Sequence, residues 1–181
     1  EQEFSWSRTG KVNIAYEAID RHAEDPARCH RYCLIYEGEH RKERITYHRM
    51  RDLSNKFANV LRKLEVEKGD RVFIFLPRCP EYYIAMVGCA KVGAIFCPVF
   101  EALMEMAVRE RLKDSGAKVL VTTPRMAARV PFTELPDLRH IILVGDGNIV
   151  LRPGEVSWEE EMACAPYECE IAWVDLKDPL F

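Results

Sequence analysis

The run Val72-Phe73-Ile74-Phe75-Leu76 constrains this chain more than any other stretch. A strand with no polar side chain on either face needs cover on both, as happens inside a parallel sheet. The residues that follow agree with this. Pro77 and Pro80 close the strand, and Pro80 suits the first turn of a helix. Apolar residues then run almost all the way round from Tyr82 to Val92, which marks a core helix. Gly93 stops that helix, and Ile95-Phe96-Cys97-Pro98-Val99-Phe100 is a second strand. Strand, helix and strand within residues 71–100 predict a parallel pair with a right-handed crossover.

The rest of the chain extends this unit. Residues 1–12 read as an irregular lead-in with Phe4 and Trp6 as anchors, and Asn13 caps a helix limited by Pro26. Tyr32 to Tyr36 and Glu43 to Tyr47 predict a hairpin at a sheet edge, with charge crowding its turn. Thr46 caps a helix whose buried stripe is Met50, Leu53, Phe57, Val60, Leu61 and Leu64. Lys68-Gly69-Asp70 turns into the central strand. After it come a charged helix with a Glu105–Arg109 pair, a third strand (118–123), a short helix from Pro124 and a fourth strand (141–144). Ser157-Trp158-Glu159-Glu160 is a capping box that starts one more short helix, and Ile171 to Val174 suggests a short strand.

The predicted fold class is therefore α/β: a mostly parallel sheet with helices on both faces and an antiparallel N-terminal hairpin at one edge. We divide it into a lead-in and helix (1–30), an α/β subdomain (31–146) and a connector with one short helix (147–181).

Charge excludes some functions. A net charge of −3, with both signs mixed along the chain, argues against a nucleic-acid groove or a membrane-surface patch. No apolar run reaches the length of a membrane span. Seven cysteines at irregular spacing, with Cys89 and Cys97 in the apolar core unit as small hydrophobes, point to a reducing, cytoplasmic setting without a disulfide framework.

The residues taken singly carry little chemistry. Gly145-Asp146-Gly147 lacks the third glycine of a dinucleotide loop and reads as a plain turn. Cys29, His30 and Cys33, with His22 upstream, have no second ligand pair, so an ordinary connection is preferred to a metal site. His48 and His140 have no partner in sequence that would make either a base, and no serine sits in a nucleophile elbow. Arg125 and Arg129 stand out, one helical turn apart at the carboxyl edge of a parallel sheet. Ligands of α/β proteins bind at that edge, and two arginines there suit a phosphate, although a solvated helix face is the default reading.

The string as a whole is more specific. Val66-Glu67-Lys68-Gly69-Asp70-Arg71-Val72 with Leu76-Pro77-Arg78-Cys79-Pro80-Glu81 resembles the G-D-R-V…P-x-x-P-E segment of AMP-forming acyl-CoA synthetases. Lys91-Val92-Gly93-Ala94 with Pro98 is similar to that family's K-x-G-A…P turn, and Asp114-Ser115-Gly116-Ala117-Lys118 to its D-S-x-A-K segment. Gly10 to Glu17, with Trp6 before and Asp20-Arg21-His22 after, resembles the start of acetyl-CoA synthetases, and Phe100-Glu101-Ala102 a later segment of the same subgroup. Departures are Cys79 at a helix start, Arg49 where a glutamate would complete a capping box, and Glu101-Ala102 where glycines are usual.

The resemblance implies a ligase that makes an acyl-adenylate from a small carboxylate and ATP with Mg2+, then passes the acyl group to coenzyme A. It implies a coenzyme A surface near Phe100, Glu101, Ala102, Arg125 and Arg129. It places the phosphate loop beyond Asp178-Pro179-Leu180-Phe181. The chain is then expected to be an N-terminal piece, inactive alone, with no catalytic or metal-ligating residue of its own and no cofactor bound. Its main partner is the rest of its own polypeptide, and its docking face makes a dimer of the piece an expected by-product. A stand-alone nucleotide- or protein-binding module and a metal module on Cys29, His30 and Cys33 are the rival readings.

Overall fold

The computed structural model describes residues 9–145 and 149–181. Phe4, Trp6 and the Asp146-Gly147 part of the turn therefore lie outside the described residues. Strands β4 (Arg71–Phe75), β5 (Ile95–Pro98), β6 (Val119–Thr122), β7 (His140–Leu143) and β8 (Glu155–Ser157) form one sheet in the order β5-β4-β6-β7-β8. Every neighbouring pair is parallel. The fifth strand is not evident from sequence, because Glu155-Val156-Ser157 offers one apolar residue and lies at an edge of the sheet.

The period of two in a strand splits the central run between two layers. Val72, Ile74 and Leu76 join Val119, Val121 and Ile142 against the helices α1 (14–23), α2 (Tyr47–Lys63), α3 (Pro80–Val92) and α6 (Trp158–Cys164). Phe73, Phe75, Leu120, Ile141 and Leu143 face the other way. They pack on Val108 and Leu112 of α4 (Glu105–Ser115) and on Met126 and Ala127 of α5 (Pro124–Ala127). The sheet is covered on both faces, as its sequence requires.

The helix starts follow the sequence closely. Asn13 Oδ1 accepts from the Ala15 and Tyr16 amides at 2.9 and 3.3 Å, and α1 then carries a wide π turn at Tyr16–Asp20. Thr46 caps α2 through the Arg49 amide, Thr123 caps α5 through Met126, and Ser157 caps α6 through Glu160. Cys79 precedes α3 without a side-chain cap bond. Burial pushes its thiol up to about 12, so it behaves there as a small hydrophobe.

Two expectations change. The hairpin of β2 (Tyr32–Glu37) and β3 (Lys42–Thr46) forms a separate two-stranded sheet, not an edge of the parallel one. Its Cys33, Leu34 and Ile45 are spent against the helical layer, which leaves β5 and β8 as the outer strands. Arg109 reaches Glu134 Oε2 at 3.1 Å instead of pairing with Glu105. A further pair, β1 (Lys11–Val12) with β9 (Val174–Asp175), ties the two ends of the described chain together. Among the described residues no helix is long and apolar enough to cross a membrane.

The amino end of the sheet is held by ion pairs and caps. Arg71 donates to the carbonyls of Ser115, Gly116 and Gly69 at 2.7, 3.1 and 3.2 Å, closing the end of α4, where Gly116 takes the left-handed conformation. Asp70 accepts from the Glu67 amide and from Lys118 Nζ at 2.7 and 2.9 Å. The Gly-Asp-Arg-Val and Asp-Ser-Gly-Ala-Lys segments thus meet in space, as a structural joint.

Candidate functional site

Three loops leave the carboxyl ends of adjacent strands: 76–79 after β4, 99–103 after β5 and 123–129 after β6. Between them lies a cleft of about 660 Å³ lined by Pro77, Glu101, Ala102, Met104, Thr123, Arg125, Met126 and Arg129. This is the edge at which open α/β sheets bind ligands.

Each wall has a local cause. Pro124 and the Thr123 cap start α5 at once after β6. The helix lasts only to Ala127, so Arg125 and Arg129 do not share a helical face. Arg125 is exposed at the mouth. Arg129 is half-buried and turns inward, with Nη1 donating to the carbonyls of Glu101 and Leu103 at 3.0 and 3.2 Å. It fastens the 101–103 turn to the α5 loop. Phe100, 70% exposed, belongs instead to a smaller neighbouring recess with Arg78, Tyr82 and Pro98.

Of the five residues singled out by sequence, the structure therefore gathers four around one cleft and sets Phe100 beside it. Pro77, Thr123, Met104 and Met126 were missed. The signal for them was positional, since each follows the carboxyl end of a parallel strand.

Among the described residues, the cleft carries the exposed Arg125 guanidinium at its mouth, with Glu101 and the apolar side chains of Pro77, Met104 and Met126 also in its lining. Among the described residues no group of three or more His, Cys, Asp or Glu side chains is placed to hold a metal ion. Cys33 Sγ donates to the Ile45 carbonyl at 3.4 Å and Cys29 Sγ to Pro26 at 3.6 Å, while His22 packs on Tyr47. His48 lies 3.4 Å from Asp52 Oδ2. Burial, aided by Arg139, holds the His140 imidazole below its ordinary pKa. Neither histidine lines the cleft.

Electrostatic strain is concentrated elsewhere. Lys91 is fully buried, with Nζ 2.6 Å from Asp20 Oδ1 and 2.5 Å from Asn55 Oδ1. Burial pushes the Asp20 carboxyl up and the Lys91 ammonium down, each partner opposing the shift in the other. Among the described residues Asp20 Oδ2 has no hydrogen-bond partner. Sequence did not show this pair, because its members are 71 residues apart.

A doubly covered parallel sheet with a cleft at its carboxyl edge is the architecture of this chain. The model of the AMP-binding enzyme family matches residues 19–181, and the chain belongs to that family. More particularly, it is 48% identical over 171 residues to the acetyl-coenzyme A synthetase of Bacillus subtilis, covering 94% of this chain and 30% of that protein. The acetyl-coenzyme A synthetase of Pseudoalteromonas translucida is 35% identical over 97% of this chain and 30% of its own length. Among solved structures, an acyl-CoA synthetase of Brucella canis superposes with a TM-score of 0.84 at 26% identity, over 94% of this chain and 30% of that one. The chain thus spans about 30% of the length of these relatives.

Proposed function

We propose that this chain is the N-terminal body of an ATP-dependent, AMP-forming ligase that joins acetate or another short-chain carboxylate to coenzyme A. The observation that carries the reading is 48% identity to an acetyl-coenzyme A synthetase across nearly all of the chain. The groups that handle ATP and Mg2+ are assigned to the rest of the polypeptide. Coenzyme A is assigned to the cleft of this chain. The exposed Arg125 suits an anionic nucleotide at the cleft mouth, and Glu101 and Ala102, fixed by Arg129, form the opposite wall. A cytoplasmic location fits seven free cysteines.

The test compares two polypeptides with ATP, Mg2+, acetate and coenzyme A. The complete reading frame is expected to release pyrophosphate in an acetate-dependent way and to form the thioester. The 181-residue chain alone is expected to release none above blank. Enzyme-like turnover by the short chain, or carboxylate-independent behaviour of the long one, overturns the reading.

The cleft assignment makes a second prediction. Losing one charge-assisted contact costs about 1.5–3 kcal/mol, so Arg125→Ala in the complete enzyme should raise the KM for coenzyme A roughly 10–100-fold. Pyrophosphate exchange without coenzyme A should suffer far less. An unchanged KM removes Arg125 from the site.

A further inference from the structure

Residues 166–172 cross α2 without joining any sheet, yet their carbonyls are met one after another by side chains. Asn55 Nδ2 donates to the Tyr167 carbonyl at 2.8 Å. Asn59 Nδ2 donates to Pro166 and Glu168 at 3.0 and 2.7 Å. Arg62 donates to the Glu170 carbonyl and to Cys169 Sγ. Asn55, Asn59 and Arg62 stand at i, i+4 and i+7, so they form one polar stripe along the helix. Lys56 lies over the Tyr167 ring at 4.6 Å. At the far end Ala172 donates to the Lys91 carbonyl and accepts from Asn13 Nδ2, both at 2.8 Å. The chain then enters β9 and runs to Leu180, whose carbonyl accepts from the Phe96 amide of β5.

Asn55 has a second duty. Its Oδ1 accepts from the buried Lys91 ammonium, so its amide has one workable orientation: oxygen toward Lys91, nitrogen toward Tyr167. Turning it over sets donor against donor and acceptor against acceptor.

We propose that residues 166–172 form a latched strap, and that Asn55 couples it to the buried Asp20–Lys91 pair so that disturbing the pair opens the strap. The strap fixes how the run 174–181 lies against β5, the strand that leads into the Phe100 turn.

The chain carries its own reporters. Cys169 is half-buried under the Arg62 contact, Cys164 is exposed, and Cys89 is fully buried. Labelling of the folded chain with iodoacetamide, resolved by peptide mass spectrometry, reads all three thiols at once. Arg62 is left intact, because it touches the reporter. Asn59→Ala should speed Cys169 labelling about tenfold by local opening, with Cys164 changed less than about twofold. Asn55→Ala and the double variant Asp20→Leu with Lys91→Met should do the same. A normal Cys169 rate in Asn59→Ala overturns the strap. A rise there, with a normal Cys169 rate in the folded double variant Asp20→Leu with Lys91→Met, overturns the coupling. Labelling of Cys89 marks a variant that has unfolded globally; should the double variant do so, Asp20→Asn, which keeps the volume of the site and leaves Asn55 in place, decides by the same readout.

Discussion

Lys91→Met is expected to destabilise the chain by about 3–5 kcal/mol, because it strands a buried carboxylate without its counter-ion. In thermal unfolding that amounts to a fall of roughly 6–20 °C for a body of this size. Asp20 is 3% exposed and already leaves Oδ2 unpartnered, so water does not readily replace the lost ammonium. The loss should depend on pH with a definite sign. Burial raises the Asp20 pKa, so the stability linked to this group is full below the usual carboxylate range and declines as pH rises through the raised value. Burial lowers the Lys91 pKa, so its linked stability is full above the usual lysine range and declines as pH falls through the lowered one. Near neutrality both penalties apply to the wild type. Lys91→Met removes one of them together with the attraction that offset the other. Its deficit should therefore shrink as the pH drops and Asp20 becomes neutral. The double variant Asp20→Leu with Lys91→Met should regain most of the stability, since buried pairs are often matched by apolar residues of similar volume. Denaturant midpoints at pH 5 and pH 7.5 measure all of this. A Lys91→Met deficit below about 0.5 kcal/mol at neutral pH, within the range of an ordinary surface change, contradicts it.

What sequence could and could not show follows from the range of each interaction. The β4–α3–β5 unit was legible because apolar continuity and two prolines are local signals. The caps at Asn13, Thr46 and Ser157 were legible for the same reason, each resting on an amide two or three residues away. Strand β8 was not, since its pairing with β7 rather than its own composition makes it a strand. The hairpin's strands were legible but not their place, because nothing in Tyr32 to Thr46 says which layer Ile45 will meet. At the cleft, the rule that ligands gather at carboxyl edges found Arg125 and Arg129. It could not separate them, as that depends on Arg129 finding two carbonyls 26 and 28 residues away.

The motifs that made the resemblance specific turn out to be mostly architectural. Asp70, Arg71 and Lys118 sit at the amino end of the sheet, away from the cleft, where they cap α4 and join two loops. Lys91 anchors the core. Retaining such residues keeps the strand ends in register, and the register fixes where the three loops at the opposite edge emerge. The joint and the cleft are thus two ends of the same strands.

Gly88 is where that architecture is least tolerant. It lies in α3, and a Cβ built there would stand 2.7 Å from Phe57 Cδ1, 3.1 Å from Phe57 Cβ and 3.1 Å from the Ser54 carbonyl. In an exposed helix, replacing glycine by alanine gains up to about 1 kcal/mol from backbone entropy. Here the sign should reverse. Phe57 is fully buried and stacks on Trp158 with ring centroids 4.7 Å apart, so it has nowhere to withdraw. The Ser54 carbonyl is α2 backbone and moves only with the helix. Gly88→Ala is therefore expected to be net destabilising, by about 1–3 kcal/mol, and Gly88→Leu by more, as overpacking drives α2 and α3 apart. The clash is mainly with one ring, so Phe57→Leu should couple with it. Phe57→Leu alone opens space and weakens the core, yet combined with Gly88→Ala it should cost less than the sum of the two. Urea unfolding of the four members of this cycle gives the coupling. A Gly88→Ala chain as stable as the wild type, or a cycle that adds without interaction, shows that the two helices have slack between them.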